Sequence, residues 1–195
     1  MGVGAVSDRA VFLDRDGVLN RAFIRDGRPY PPATLAELEI LPGVPEGLAR
    51  LRAAGFRLIV VTNQPDVARG AQTREGVEVL HAALQVRLSL DEFKVCYHDD
   101  LAACACRKPA PGLLLAAVRD HHLNLAASFM VGDRWRDIEA GQRAGCRTVF
   151  IDYGYAEKRP ARADVQVTSL AEAADWILKQ EEGKDPHDYS SPHFT

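Results

Sequence analysis

The stretch Ala10-Val11-Phe12-Leu13-Asp14-Arg15-Asp16-Gly17 sets the frame for the chain. Four apolar residues run straight into two carboxylates separated by one residue. Apolar on both faces, Ala10–Leu13 predicts a short strand buried in a parallel sheet. Asp14 and Asp16, leaving that strand end, can point into one cavity, and Gly17 lets the chain turn sharply behind them. Taken alone, the same pattern also fits an Asx-rich turn.

Outward from this stretch, apolar runs bounded by Gly, Pro and Asp alternate with amphipathic segments. Pro45–Ala54 reads as a helix with Val44, Leu48 and Leu51 at helical spacing and Gly55 as its stop. Phe56–Thr62 reads as a strand, β-branched at its centre. Thr73 is an N-cap for a helix reaching about Leu88. Phe93–Cys96, Phe129–Val131 and Thr148–Ile151 read as strands; Gly112–Asp120 and Arg136–Ala144 read as helices. Ser169 and Glu172 form a capping box for a last helix carrying Leu170, Ala173, Trp176 and Ile177. Such alternation implies an α/β fold with a doubly wound parallel sheet, which places its sites beyond the carboxyl ends of the strands. Residues 1–180 are expected to form a single domain, with 181–195 as a flexible polar tail.

Three more strand ends carry polar groups. Thr62-Asn63-Gln64 offers a hydroxyl and a backbone N–H to phosphate oxygens, or a simple cap. Arg107-Lys108-Pro109 offers a bidentate fork and a point charge, or a solvated basic pair. Gly132-Asp133, followed by Asp137, offers oxygens to a hard cation such as Mg²⁺, or a helix N-cap.

The cysteines add a second constellation. Cys96-Tyr97-His98 precedes Cys104-Ala105-Cys106 by five residues. Three thiolates and one imidazole complete a tetrahedral zinc set and leave no open position, so the ion would be structural. The bland alternative is buried cysteines beside a surface histidine. Cys146, distant in sequence, reads as a small core residue.

Asp14/Asp16, Thr62, Lys108 and Asp133/Asp137 at successive strand ends resemble the haloacid dehalogenase (HAD) superfamily, over nearly the whole chain to about Lys179. The resemblance implies a magnesium-dependent phosphatase acting through an aspartyl-phosphate. Asp14 would be the nucleophile and Asp16 the acid, then base. Mg²⁺ would be held by Asp14, the Asp16 carbonyl and Asp133. Lys108 and Thr62, with Asn63 beside them, would orient the phosphoryl group, and Asp137 would support the metal shell or Lys108. The zinc loop resembles two subfamilies, the heptose 1,7-bisphosphate phosphatases and the histidinol-phosphate phosphatases. Val67-Ala68-Arg69-Gly70 and Lys108-Pro109-Ala110-Pro111-Gly112 are similar to the first. That likeness implies that Arg69, Arg107 and Arg134 meet the substrate's far phosphate or hydroxyls, although Arg69 and Arg134 equally fit solvated surface residues. Two departures stand out: Pro65-Asp66 replaces the subfamily's Ser-Gly, and Arg134 replaces its Lys. Asn20 would line a flap near Arg25–Pro32 or cap a turn. The intervals Asn20–Thr62 and Thr62–Lys108 are too short for a large cap domain.

A net charge of −3 and a pI near 6.1 predict neither a nucleic-acid face nor a membrane patch, so an anionic substrate must be drawn by a local site. The N-terminus lacks a signal-peptide pattern, and Val6 breaks the myristoylation pattern. A cytoplasmic monomer acting on a small phosphorylated sugar is the expectation.

Overall fold

A computed structural model describes residues 8–181. The part of the expected tail from 182 to 195 lies outside the described residues. Six parallel strands form the sheet: Ala10–Leu13 (β1), Arg57–Asn63 (β4), Glu92–Cys96 (β5), Phe129–Gly132 (β6), Arg147–Ile151 (β7) and Val165–Val167 (β8). Their order is β5-β4-β1-β6-β7-β8. The first strand among the described residues is therefore central, flanked by strands that come much later. Ala10 pairs with Arg57 in β4, and Val11 pairs with Phe129 in β6.

Helices cover both faces, and the period-2 alternation of β1 shows why. Val11 and Leu13 face one core with Leu48, Leu51, Leu80, Leu84 and Ile177. These come from Val44–Ala53 (α1), Arg74–Leu88 (α3) and Leu170–Lys179 (α6). Ala10 and Phe12 face the other core with Leu113, Leu114 and Ala117 of Gly112–His121 (α4) and Ala140 of Trp135–Ala144 (α5). All four β1 residues are buried, as a strand apolar on both sides requires. Cys146 packs in the second core.

Helix boundaries follow local chemistry. Thr73 accepts from the Gly76 N–H and starts α3. Ser169 accepts from the Glu172 N–H to start α6, but Glu172 reaches back to the N–H of Thr168 rather than of Ser169, so the expected capping box is one residue wider. Three elements escaped sequence reading. The strand β8 is only three residues long. Pro65–Ala68 (α2) is a single helical turn. Phe23–Arg25 (β2) and Arg28–Tyr30 (β3) make an antiparallel hairpin where a flap was expected. The hairpin tip is held where the Ala156 N–H donates to the Gly27 carbonyl. Between β1 and β4, this hairpin and α1 leave no room for a large cap domain.

Candidate active site

Every expected motif lies at the carboxyl edge of the sheet. Asp14 follows β1, and its N–H donates to the Val131 carbonyl of β6 at 3.0 Å. Thr62 closes β4, and Asp133 follows β6. Lys108 comes from the loop after β5 and crosses the strand ends. Its Nζ lies 2.8 Å from Asp14 Oδ1, 2.7 Å from the Val61 carbonyl and 2.6 Å from Asp137 Oδ1. Only 1% of Lys108 is exposed. Burial opposes its charge, but Asp137 and Asp14 outweigh that and hold its pKa above the ordinary value. Burial pushes the Asp14 carboxyl up to about 6, with Lys108 pulling the other way.

Asp137 does two jobs. It binds Lys108, and its Oδ2 accepts from the Arg134 N–H at 3.0 Å, closing the first turn of α5. The helix cap is thus Asp137, which leaves Asp133 free. Both oxygens of Asp133 are buried with no hydrogen-bond partner. Burial first, then the charges of Asp14 and Asp137, raise its pKa well above the ordinary value, with the nearby Tyr155 hydroxyl offsetting a little. A buried, unsatisfied carboxylate within 4.8 Å of the oxygens of Asp14 and Asp137 calls for a cation. The donors are all hard oxygens, so the set fits Mg²⁺. Gly17 belongs to the same fit: at φ +85°, a Cβ there would lie 2.0 Å from Asp133 Oδ2.

Asp16 is held differently. Arg15, the middle residue of the motif, turns inward and is fully buried. Its Nη2 and Nε donate to Asp16 at 2.8 and 3.1 Å. Its other donors meet Gln64 Oε1 at 3.1 Å and His81 Nε2 at 3.0 Å. Gln64 in turn donates to Thr62 Oγ1 and to Asp16, and Asn20 donates to Asp16 Oδ1 at 2.9 Å. His81 stacks on Phe93, and burial together with Arg15 pushes its pKa down to about 3, so it is a neutral acceptor. Arg15, Gln64 and His81 were not anticipated. The alternation of a strand end contained the signal for Arg15, since residues flanking it share the opposite face.

Two expected substrate residues direct their side-chain amides to protein partners. Asn20 is fully buried and aims its amide at Asp16 and the Arg21 carbonyl, so it neither lines the flap nor reaches a ligand. Asn63 spends its amide on the Lys108 backbone, donating to its carbonyl and accepting from its N–H, both at 3.1 Å. It fixes the lysine's loop rather than offering its side chain to phosphate.

Beyond Lys108, a cavity of about 280 Å³ opens between the flap residues Arg28–Pro31 and Arg69 at the end of α2, Arg107 on the loop after β5 and Arg136 in the first turn of α5. Arg134 also borders it, but its guanidinium is paired with Glu157, with Nε 2.7 Å from Oε1. Arg136, not anticipated, stands with Arg69 and Arg107 around Asp100. The cysteine set lies behind this rim. Cys96 Sγ is 3.1 Å from Cys106 Sγ and 3.8 Å from Cys104 Sγ, and His98 Nδ1 is 3.3 Å from Cys106 Sγ. All four ligand atoms lie within 4.8 Å of one another. Sulfurs about 2.3 Å from one ion would sit at such separations, so the set fits zinc.

Comparison with known proteins agrees with this geometry. A family description, HAD-hydrolase-like, matches residues 105–175. A D-glycero-beta-D-manno-heptose-1,7-bisphosphate 7-phosphatase of Helicobacter pylori is 33% identical over 88% of this chain and 98% of its own. Its counterpart in Escherichia coli K12 is 36% identical over 89% of this chain and 90% of its own. The chain belongs to the heptose-bisphosphate phosphatase family of HAD-type enzymes. It is thus a phosphoric monoester hydrolase. A member of this family from B. bronchiseptica, solved with magnesium and phosphate, superposes with a TM-score of 0.73 at 28% identity, covering 88% of this chain and 99% of that one.

Proposed function

We propose that this protein removes the C7 phosphate from a D-glycero-D-manno-heptose 1,7-bisphosphate, leaving the 1-phosphate. One observation carries the reading. A single cavity has a buried nucleophile-and-lysine pair at one end and Arg69, Arg107 and Arg136 at the other. A substrate with an anionic group at each end matches both. The names of the relatives point to the same chemistry.

Asp14 is the nucleophile: its carboxylate attacks phosphorus, and the sugar oxygen leaves. Asp16 gives that oxygen a proton, then takes one from the water that hydrolyses the aspartyl-phosphate. Lys108 and Thr62 steady the phosphoryl oxygens, and most of the rate comes from this positioning and charge. Asp14, Asp133 and the Asp16 carbonyl would hold Mg²⁺, which supplies further neutralisation of the transferring group. Cys96, His98, Cys104 and Cys106 would hold a structural zinc that aims the Arg107-Lys108 segment. A cytoplasmic, reducing setting suits those thiolates. No described helix is long and apolar enough to cross a membrane.

Steady-state rates on a panel of phosphate esters test the substrate. Preference for the heptose bisphosphate over its monophosphates is expected; preference for histidinol phosphate would overturn the assignment while leaving the chemistry at Asp14 intact.

A further inference from the structure

One carboxylate on the zinc loop serves three guanidinium groups. Asp100 Oδ1 accepts from Arg107 Nε at 3.0 Å and from Arg136 Nη1 at 2.9 Å, and Oδ2 accepts from Arg69 Nη2 at 2.9 Å. Two of the three arginines have a second acceptor. Arg107 also donates to the His98 carbonyl at 3.2 Å, and Arg69 to Asp66 Oδ1 at 3.3 Å. Arg136 lies over the Trp135 ring, 5.1 Å from its centroid, and its buried Nε still lacks an acceptor. Asp100 is therefore an occupant of the cluster more than its scaffold. Asp66 adds a second carboxylate at Arg69, so two negative charges face three positive ones and the group is still one anion short, while the Asp100 side chain is 49% exposed to solvent.

We propose that Asp100 is a built-in competitor for Arg69, Arg107 and Arg136: it fills them in the free enzyme, yields them to the substrate's non-reacting phosphate, and reclaims them to release the product. The proposal rests on the bisphosphate reading above. Hydrolysis at Asp14 removes one phosphate and leaves the other on the sugar. The product thus keeps the handle by which its substrate was held. While both ends are engaged, the second contact is intramolecular and the substrate prevails over a single carboxylate. Once the Asp14 end has let go, the remaining phosphate must compete with a carboxylate tethered beside the same donors. Without that carboxylate the arginines would retain product.

The test is product inhibition in the full chain loaded with zinc and magnesium, with the heptose 1-phosphate as inhibitor of bisphosphate hydrolysis. In Asp100→Asn the inhibition constant is expected to fall about five- to tenfold, and KM for the bisphosphate with it, as charge-assisted donors lose their rival. Asp100→Glu, which keeps the charge, stays within about twofold of the parent protein. An unchanged or higher inhibition constant in Asp100→Asn overturns the proposal, because a scaffold would weaken binding when lost. Zinc content and thermal unfolding show whether that variant is folded. If it is not, Arg136→Gln decides: an inhibition constant raised several-fold supports the arginine group as the product's hold, and an unchanged one sinks it. If the parent protein shows no preference for bisphosphates, the substrate reading fails. If that preference holds and Asp100→Asn leaves inhibition unchanged, only the competitor idea fails.

Discussion

Lys108 and Arg107 are chain neighbours with opposite surroundings. Lys108 is buried and spends its ammonium on Asp14, Asp137 and the Val61 carbonyl. Arg107 stands on the cavity rim and meets the half-exposed Asp100. The strand-end centre is fixed by the sheet: strand register, buried charges and a shared helix cap leave each group one position. The rim is assembled from separate pieces: Arg107 on the loop gathered around Cys96, His98, Cys104 and Cys106, Arg69 at the end of α2 and Arg136 in the first turn of α5. Reaction chemistry, which tolerates little displacement, is mounted on the rigid part. The substrate contacts proposed above are mounted on loop and helix ends outside the strands.

Perturbations that fall on one side of this divide should leave distinct signatures. Asp14→Asn strikes the centre hardest: kcat is expected to fall on the order of 10⁴-fold, with no phosphorylated enzyme in acid-quenched samples. Retention of full activity would remove Asp14 as nucleophile. Lys108→Met is next. It leaves Asp14, Asp133 and Asp137 as neighbouring buried acids without their cation. A loss of about 10³-fold in kcat and of about 3 kcal/mol in unfolding free energy is expected. Excess Mg²⁺ should recover part of the stability but not the rate.

Zinc removal attacks the rim. After treatment with a zinc chelator and return of Mg²⁺, kcat/KM for the bisphosphate should drop about 10- to 100-fold, with KM carrying most of it. A small aryl phosphate should lose less. Equal losses on both would show that rim and centre are not separable. Elemental analysis of the untreated protein should find one zinc per chain.

The smallest effect lies behind the centre, at His81. Its folded pKa is depressed to about 3 from an ordinary 6.5 by burial and by Arg15. Between those values the unfolded chain binds a proton that the folded state refuses, so stability falls as pH drops below about 6.5. At pH 5.5 the loss attributable to this residue is on the order of 1 kcal/mol. Denaturant unfolding at pH 7.5 and 5.5 should show that increment in the parent protein and not in His81→Gln.

The same divide explains what the sequence disclosed. Strand ends were legible because Asp14, Thr62, Lys108 and Asp133 each follow or cross an apolar run, and topology brings such ends together. The zinc set was legible because its ligands are close in sequence. Side-chain direction was harder. The side chains of Asn20, Asn63 and Arg134 each have a protein partner that the sequence did not announce: Asp16, the Lys108 backbone and Glu157. Those partners lie 4, 45 and 23 positions away and form no local pattern. Arg136 and Asp100 were missed for the same reason, since 36 positions separate them. The strand β8 was missed because three residues carry too little periodicity.

The central place of β1 has a consequence for the order in which the enzyme comes into being. Asp14 leaves the ribosome long before the groups that set it, since the carbonyl that fixes its backbone belongs to Val131 and the carboxylate facing it to Asp133. The strand carrying Ala10–Leu13 must wait for partners some 45 and 120 residues downstream before its register is set. A nascent or truncated chain ending before β6 would carry the nucleophile without its setting. Activity is thus a property the polypeptide acquires only once β6 and Asp133 have been made.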